Sequence, residues 1–195
     1  MTSLYVTSVY KTFRAVIDGL PNTLVGQVIG GRLVVMPRPA PPHLRAASAL
    51  ERQLGRRFDD GDDGPGGWWI LSEPELTLPL DPDFNPVVPD LAGWRRARMP
   101  TLPETASFSC APDWVCEVLS PSTETHDRGE KMPFYARAGV DHAWIVDPQA
   151  RTLEAFRRDG VVFRPLGTWQ GDARPRVEPF DAVALDLARF WIPTP

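Results

Sequence analysis

WVCEVLSPSTETHDRGEKMPFYARAGVDHAWIVDP, residues 114–148, sets a strand, a helix and a second strand in a row. Trp114–Leu119 is a short apolar run bounded by turn residues, which predicts a strand. Arg128–Ala138 predicts a helix closed by Gly139, with Pro133 inside it implying a kink or a later start. Ala143–Val146 predicts the next strand. The anomaly in this stretch is Glu117. Period two puts Val115, Glu117 and Leu119 on one strand face and Trp114, Cys116 and Val118 on the other. An acid inside an apolar strand costs free energy unless a cation or metal partners it.

Outward from this stretch the chain is punctuated by 22 prolines and 15 glycines, so the elements are short. Residues 8–19 predict an opening helix ended by Gly19 and Pro21. Leu24–Ile29 and Arg32–Met36, joined by Gly30-Gly31, predict a β-hairpin. In His43–Phe58 the apolar residues Leu44, Ala47, Leu50, Leu54 and Phe58 recur at helical spacing. Trp68–Leu71 is a β-type run, which Glu75–Leu80 extends or follows. A strand is expected around Val87–Ala92, with Pro89 marking an edge, a strand end or a bulge. Thr152–Arg157 and Val161–Pro165 form a second hairpin across Arg158-Asp159-Gly160. The tail Ala182–Phe190 reads as a short helix or strand. Helices and strands alternate around a central sheet, an α/β or α+β fold in one domain spanning residues 1–195.

Composition narrows the function classes. Net charge is −4 and the pI about 5.4, which excludes a histone-like binder but not an enzyme with a local basic strip. No run approaches a membrane span, and the N-terminus lacks a basic region followed by an apolar stretch. Cys110 and Cys116 make neither a disulfide scaffold nor a four-ligand zinc site. A soluble cytoplasmic protein is the expectation. Of 21 Lys plus Arg, only Lys11 and Lys131 are lysine, so each lysine is informative.

Asp90 repeats the anomaly of Glu117, an acid at the end of an apolar β run. Two carboxylates from neighbouring strands make an oxygen-rich site suited to Mg²⁺, with Mn²⁺ as the alternative ion. Such an ion polarises a phosphodiester and lowers the pKa of a bound water, and a lysine ammonium beside it orients the water or stabilises transition-state charge.

Here the chain resembles a known family. Pro89-Asp90 and, further on, Glu117-Val118-Leu119 with a displaced lysine resemble the PD-(D/E)XK nuclease superfamily. More specifically, Glu117–Pro148 is similar to the Uma2 family, also called DUF820, of bacterial proteins assigned as restriction endonucleases. VIGGRLVVMPRP (Val28–Pro39), PPHLRAASAL (Pro41–Leu50) and VVPDLAGW (Val87–Trp94) are similar to that family's N-terminal half. The resemblance implies a restriction-endonuclease-like core, a mixed central sheet flanked by helices with extra hairpins. It also implies a metal held by Asp90 and Glu117. The usual lysine position, two residues after the acid, is the apolar Leu119, and the resemblance implies that Lys131 on the following helix supplies the amine. Lys131 lies four residues before Tyr135, so the two share a helix face. The family's first hairpin carries an acid in a pattern like E-(I/L)-(I/V)-D-G-E. Here that position is Gln27, which brings an amide oxygen and no charge.

The leading expectation is a Mg²⁺-dependent endonuclease cutting nucleic acid, DNA before RNA, through Asp90, Glu117 and Lys131, with a homodimer suited to cutting two strands. Gln27, His43 and Tyr135 are peripheral candidates. The alternative is a catalytically silent protein of this fold serving as a binding or assembly module, with Glu117 and Lys131 simply paired. Plainer roles stand beside the sharper ones. His43 reads as a surface or capping residue, His126 and His142 as loop residues. Ser120, Ser122 and Thr123 read as a turn, with Asp127 or Thr125 as the helix cap. Arg95, Arg96 and Arg98 are either phosphate contacts flanking the site or a solvated loop. Asp59–Gly67 is a solvated turn.

Overall fold

The computed structural model describes residues 13–78 and 86–193. The start of the expected opening helix and the end of the Glu75–Leu80 run lie outside these residues. Residues 13–18 are helical (α1), and the chain turns at Gly19 and Pro21 into β1 (Leu24–Ile29) and β2 (Arg32–Pro37). These pair antiparallel with Ile29 opposite Arg32. The two-residue turn needs positive φ at both central positions, and Gly30 and Gly31 adopt +56° and +71°. A Cβ on Gly30 would also lie 2.9 Å from Glu130 Oε2. Gly30→Ala is therefore expected to lower stability by about 1–2 kcal/mol, the cost of a left-handed alanine, as measured by urea unfolding.

Helix α2 (Pro41–Leu54) opens on two prolines, whose fixed φ suits a first turn where N–H groups have no helical partner. Its buried face is His43, Ala46, Ala49, Leu50 and Leu54. The expected stripe is thus rotated: Leu44 is exposed, and the small side chains of Ala46 and Ala49 meet the core instead. The helix also ends earlier than Phe58. A π turn over Gly55–Asp59 bonds Asp60 N–H to Gly55 O at 2.9 Å and brings Phe58 into the core.

The main sheet has six strands in the order β3-β4-β5-β6-β7-β8: Trp68–Ser72, Leu91–Arg95, Trp114–Val118, His142–Asp147, Thr152–Asp159 and Val162–Gln170. Only β5 and β6 pair in parallel; the other neighbours are antiparallel. Parallel partners need a crossover, which the helical segment Glu124–Arg137 supplies. Strand β4 starts later than expected: Val87 makes only an isolated bridge to Leu76, and Pro89, without an N–H, delays the ladder until Leu91. The last hairpin runs on to Gln170, and the tail forms a 3₁₀ turn at Leu187–Arg189.

Helix α3 comprises an α turn (Glu124–His126), a π turn (Asp127–Lys131) and an α segment (Met132–Arg137). It starts earlier than the expected Arg128, not later. Pro133 is tolerated because it sits at the start of the last segment, just after the π turn, where its missing donor breaks no α-type bond. Gly139, at φ +87°, closes it as expected.

The sheet separates two cores. On one side Trp114, Cys116 and Val118 pack with Leu50, Leu54 and Phe58. There Phe180 lies 4.7, 4.8 and 5.0 Å from the rings of Phe58, Trp68 and Trp114. On the other side Val115 and Leu119 pack with Phe134, Tyr135 and Ile145. This is the period-two split read from the sequence, and it turns Glu117 towards α3.

Candidate active site

Antiparallel register pairs Leu91 with Cys116, so Asp90, one residue earlier, stands beside Glu117 at the end of β5. Asp90 Oδ2 accepts the Val118 N–H at 2.6 Å. The α3 crossover then lays Lys131 across the strand ends. Lys131 Nζ donates to Glu117 Oε2 at 3.0 Å and to Val88 O at 3.2 Å, and sits 3.2 Å from Asp127 Oδ1. Two of its three N–H donors thus meet hydrogen-bond acceptors, and Asp127 adds an ion-pair contact. Tyr135, one turn on, donates its hydroxyl to Glu117 Oε1 at 2.6 Å. Glu117, Asp127, Lys131 and Tyr135 are all buried.

These groups floor a cleft of about 570 Å³ that Gln27, His43, Asp90, Glu117 and Lys131 all line. Tyr135 lies beneath it. Gln27 is buried, and its Oε1 accepts the Val88 N–H at 3.0 Å, tying the hairpin to the segment before Asp90. His43 is not the surface or capping residue expected. It is buried, with Nε2 3.1 Å from Asp90 Oδ1.

Three carboxylates therefore act on one ammonium, Glu117 and Asp127 in contact and Asp90 through its charge, and the charge balance shows in the pKa values. Burial, reinforced by the charges of Asp127 and Asp90, pushes Glu117 up to about 8 against the opposing pull of Lys131. Burial works against the Lys131 ammonium, but Glu117, Asp127 and Asp90 outweigh it and hold Lys131 above its ordinary value. Burial also opposes charging of His43, while Asp90, Asp127 and Glu73 together raise it. Burial, then the Glu117 charge, pushes the Tyr135 hydroxyl well above 10, its ordinary value.

Because Glu117 moves from 4.5 to about 8, the folded state holds its proton more tightly than the unfolded chain. The stability this contributes is complete below the unfolded value and is lost as pH rises through the folded one. In metal-free buffer, wild type is expected to lose stability relative to Glu117→Gln between about pH 4.5 and about pH 8, as read by urea unfolding across that range.

The residue that sequence reading missed is Asp127, taken there for a helix cap. Its signal was present in the i, i+4 spacing to Lys131. The Arg95–Arg98 cluster does not flank the site, because it sits at the opposite end of β4 from Asp90. Arg98 donates to Asp113 Oδ1 at 2.8 Å, and Arg96 bonds the Asp59 carboxylate and caps the Trp69 ring at 3.9 Å. His126 lies on α3 against Glu130, and His142 on β6 against Glu178, so neither is a loop residue. Ser120, Ser122 and Thr123 share hydroxyl hydrogen bonds in the turn before α3, as expected.

The donor set fits a hard cation. Asp90 and Glu117 offer carboxylate oxygens in a cluster short of positive charge, which suits Mg²⁺ or Mn²⁺. Among the described residues no three His, Cys, Asp or Glu side chains converge as a closed metal cage. Mg²⁺ does not require one, since it keeps several waters and takes one or two carboxylates. No helix among the described residues is long and apolar enough to cross a membrane.

No curated protein matches the sequence. Among solved structures, the chain is similar to "a putative nuclease belonging to DUF820" from Anabaena variabilis ATCC 29413. The TM-score is 0.68 at 20% identity, over 89% of this chain and 93% of that one; at this identity the likeness shows a shared fold. The profile of one family, Uma2, described as "Putative restriction endonuclease", matches residues 25–188. That span takes in both hairpins, the six-stranded sheet and every residue of the carboxylate–lysine cluster, and the chain belongs to the Uma2 family.

Proposed function

We propose that the protein is a metal-dependent nuclease that hydrolyses phosphodiester bonds of nucleic acid, DNA ahead of RNA. The observation that carries this reading is the floor of the cleft, where Asp90 stands beside Glu117 and the ammonium of Lys131 pairs with Glu117 and Asp127. Asp90 and Glu117 would hold Mg²⁺ or Mn²⁺. When bound, the ion supplies Lewis-acid polarisation of the phosphate and a water of lowered pKa.

The chain's own groups prepare that chemistry. Tyr135 and Lys131 address the two oxygens of Glu117 separately and so fix the plane of its carboxylate. Lys131 stays charged and opposes the rise in proton affinity that burial and the neighbouring carboxylates impose on Glu117. Bonded to Glu117 and Val88 and ion-paired with Asp127, it serves first to hold the acids in place. The Val118 N–H holds Asp90 from the backbone of β5. Water adds to phosphorus, the bond to the leaving ribose oxygen breaks, and that oxygen ends protonated.

Gln27 favours a second reading, a catalytically silent member of the family acting as a binding or assembly module. It adds no charge, and its amide oxygen already accepts the Val88 N–H.

Incubation of the purified protein with supercoiled plasmid, single-stranded circular DNA and an RNA transcript separates the two. The proposed function predicts Mg²⁺- or Mn²⁺-dependent cleavage that EDTA stops. Folded protein that leaves all three intact with either metal would contradict it and support the silent reading.

A further inference from the structure

We propose that His43 is a positioning residue that holds the Asp90 carboxylate in its metal-binding orientation; the inference rests on the reading of Asp90 as a metal-holding residue. Position 43 lies in the first turn of α2, on the face that packs inward with Ala46 and Leu50. Such a face is satisfied by an apolar side chain. His43 is nevertheless 7% exposed, and burying a polar ring costs free energy unless it is hydrogen-bonded.

The ring's hydrogen bonding is one-sided. Nε2 lies 3.1 Å from Asp90 Oδ1, while Nδ1 is buried without a hydrogen-bond partner. What offsets the burial of this imidazole is therefore Asp90. A donor at Nε2 is what Asp90 Oδ1 requires, and the ring supplies it in either charge state, as the Nε2–H tautomer or as imidazolium.

From the side of Asp90 the arrangement is complementary. Oδ2 is held by the Val118 N–H of β5 at 2.6 Å and Oδ1 by a side chain from α2. Donors from two different elements thus fix the carboxylate's rotation, and each oxygen keeps a further lone pair. Pro41 and Pro42 restrict the backbone immediately before the ring, so the imidazole is delivered from a stiff helix start. Outer groups that hydrogen-bond a ligating carboxylate typically change metal affinity 10–100-fold when removed.

The test is calorimetric titration of Mn²⁺ into the metal-free full chain. Wild type, His43→Leu and His43→Gln are compared, with thermal unfolding confirming the fold of each. Leucine fills the space without a donor, whereas glutamine can present an N–H near the Nε2 position. The inference predicts that His43→Leu weakens Mn²⁺ binding about tenfold or more and that His43→Gln restores most of the loss. If His43→Leu does not fold, His43→Phe, closer in shape and also without a donor, takes its place. Wild-type affinity in the folded donorless variant overturns the inference and leaves the metal reading standing. Equal weakening in the leucine and glutamine variants also overturns it, because the N–H would not be what matters. Folded wild type that takes up no Mn²⁺ overturns the metal reading itself and the inference with it.

Discussion

Replacing Lys131 by methionine is expected to destabilise the fold by about 3–5 kcal/mol, the usual cost of removing one partner from a buried ion pair. The ammonium is 3% exposed in its side chain and touches Glu117 and Asp127, themselves 1% and 3% exposed. Methionine keeps most of the volume and leaves both carboxylates facing an apolar neighbour, with the Val88 carbonyl deprived of its donor. The carboxylates escape part of the penalty by protonating, so the loss is larger at alkaline than at acidic pH. Urea unfolding at the two extremes of pH measures both effects. Adding Glu117→Gln to Lys131→Met removes one orphaned charge and is expected to recover part of the stability. A Lys131→Met variant as stable as wild type at every pH would mean that the ammonium does not balance the cluster.

The second large effect is on activity. Asp90→Ala is expected to reduce metal-dependent cleavage at least about 10³-fold. Metal-borne charge stabilisation contributes several kcal/mol to such a transition state, and about 1.4 kcal/mol corresponds to each factor of ten. Asp90 precedes β4 and is partly exposed, with 19% of its side-chain surface accessible, so its loss removes no core contact. It does leave the Val118 N–H without its acceptor and the buried His43 ring without its partner, each a cost of about 1–3 kcal/mol. Asp90→Asn keeps an oxygen for that N–H while removing the charge. The account therefore predicts that the asparagine variant is as inactive as the alanine one and more stable. Kinetics on any substrate that wild type cleaves, together with unfolding curves of both variants, test the two halves separately. Cleavage by Asp90→Asn at the wild-type rate would remove Asp90 from the metal site.

How much of this was legible in the sequence depended on whether a signal was local. The Gly30-Gly31 hairpin was, because positive φ at two adjacent positions leaves few residue choices. So was the facing of β5, since an acid at Glu117 and aromatic or apolar neighbours at alternate positions fix the period. Helix ends were less legible. The π turns at Gly55–Asp59 and Asp127–Lys131 alter the phase of the buried stripe, and no residue pattern announces them. Leu44 points outward for a separate reason, since six residues at roughly 100° each carry it off the line of Leu50, and α3 gains its early start from the α turn at Glu124–His126.

In the site, Asp90, Glu117 and Lys131 stood out as charges in apolar or lysine-poor settings, and the structure brings them together. His43 and Asp127 were misread because each sat where a plainer role was available, a helix start and a helix cap. Their partners are set by tertiary packing: the Asp90–His43 contact joins residues 47 positions apart on different elements. Arg95, Arg96 and Arg98 show the converse error. A dense basic run near a candidate acid in sequence lies at the far end of the same strand in space, where Asp59, Asp113 and two tryptophan rings absorb it.

The claim on which everything else depends is that Asp90 and Glu117 hold a divalent cation. Titration of Mg²⁺ and Mn²⁺ by calorimetry into metal-free wild type, beside Glu117→Gln, addresses it directly. The variant keeps the volume of Glu117 and an oxygen for the Tyr135 hydroxyl, and removes the charge by turning an amide NH₂ instead of an oxygen towards Lys131. The account predicts saturable binding to wild type that is weakened at least about tenfold in the variant. Equal binding to both, or none to a folded wild type, would contradict it.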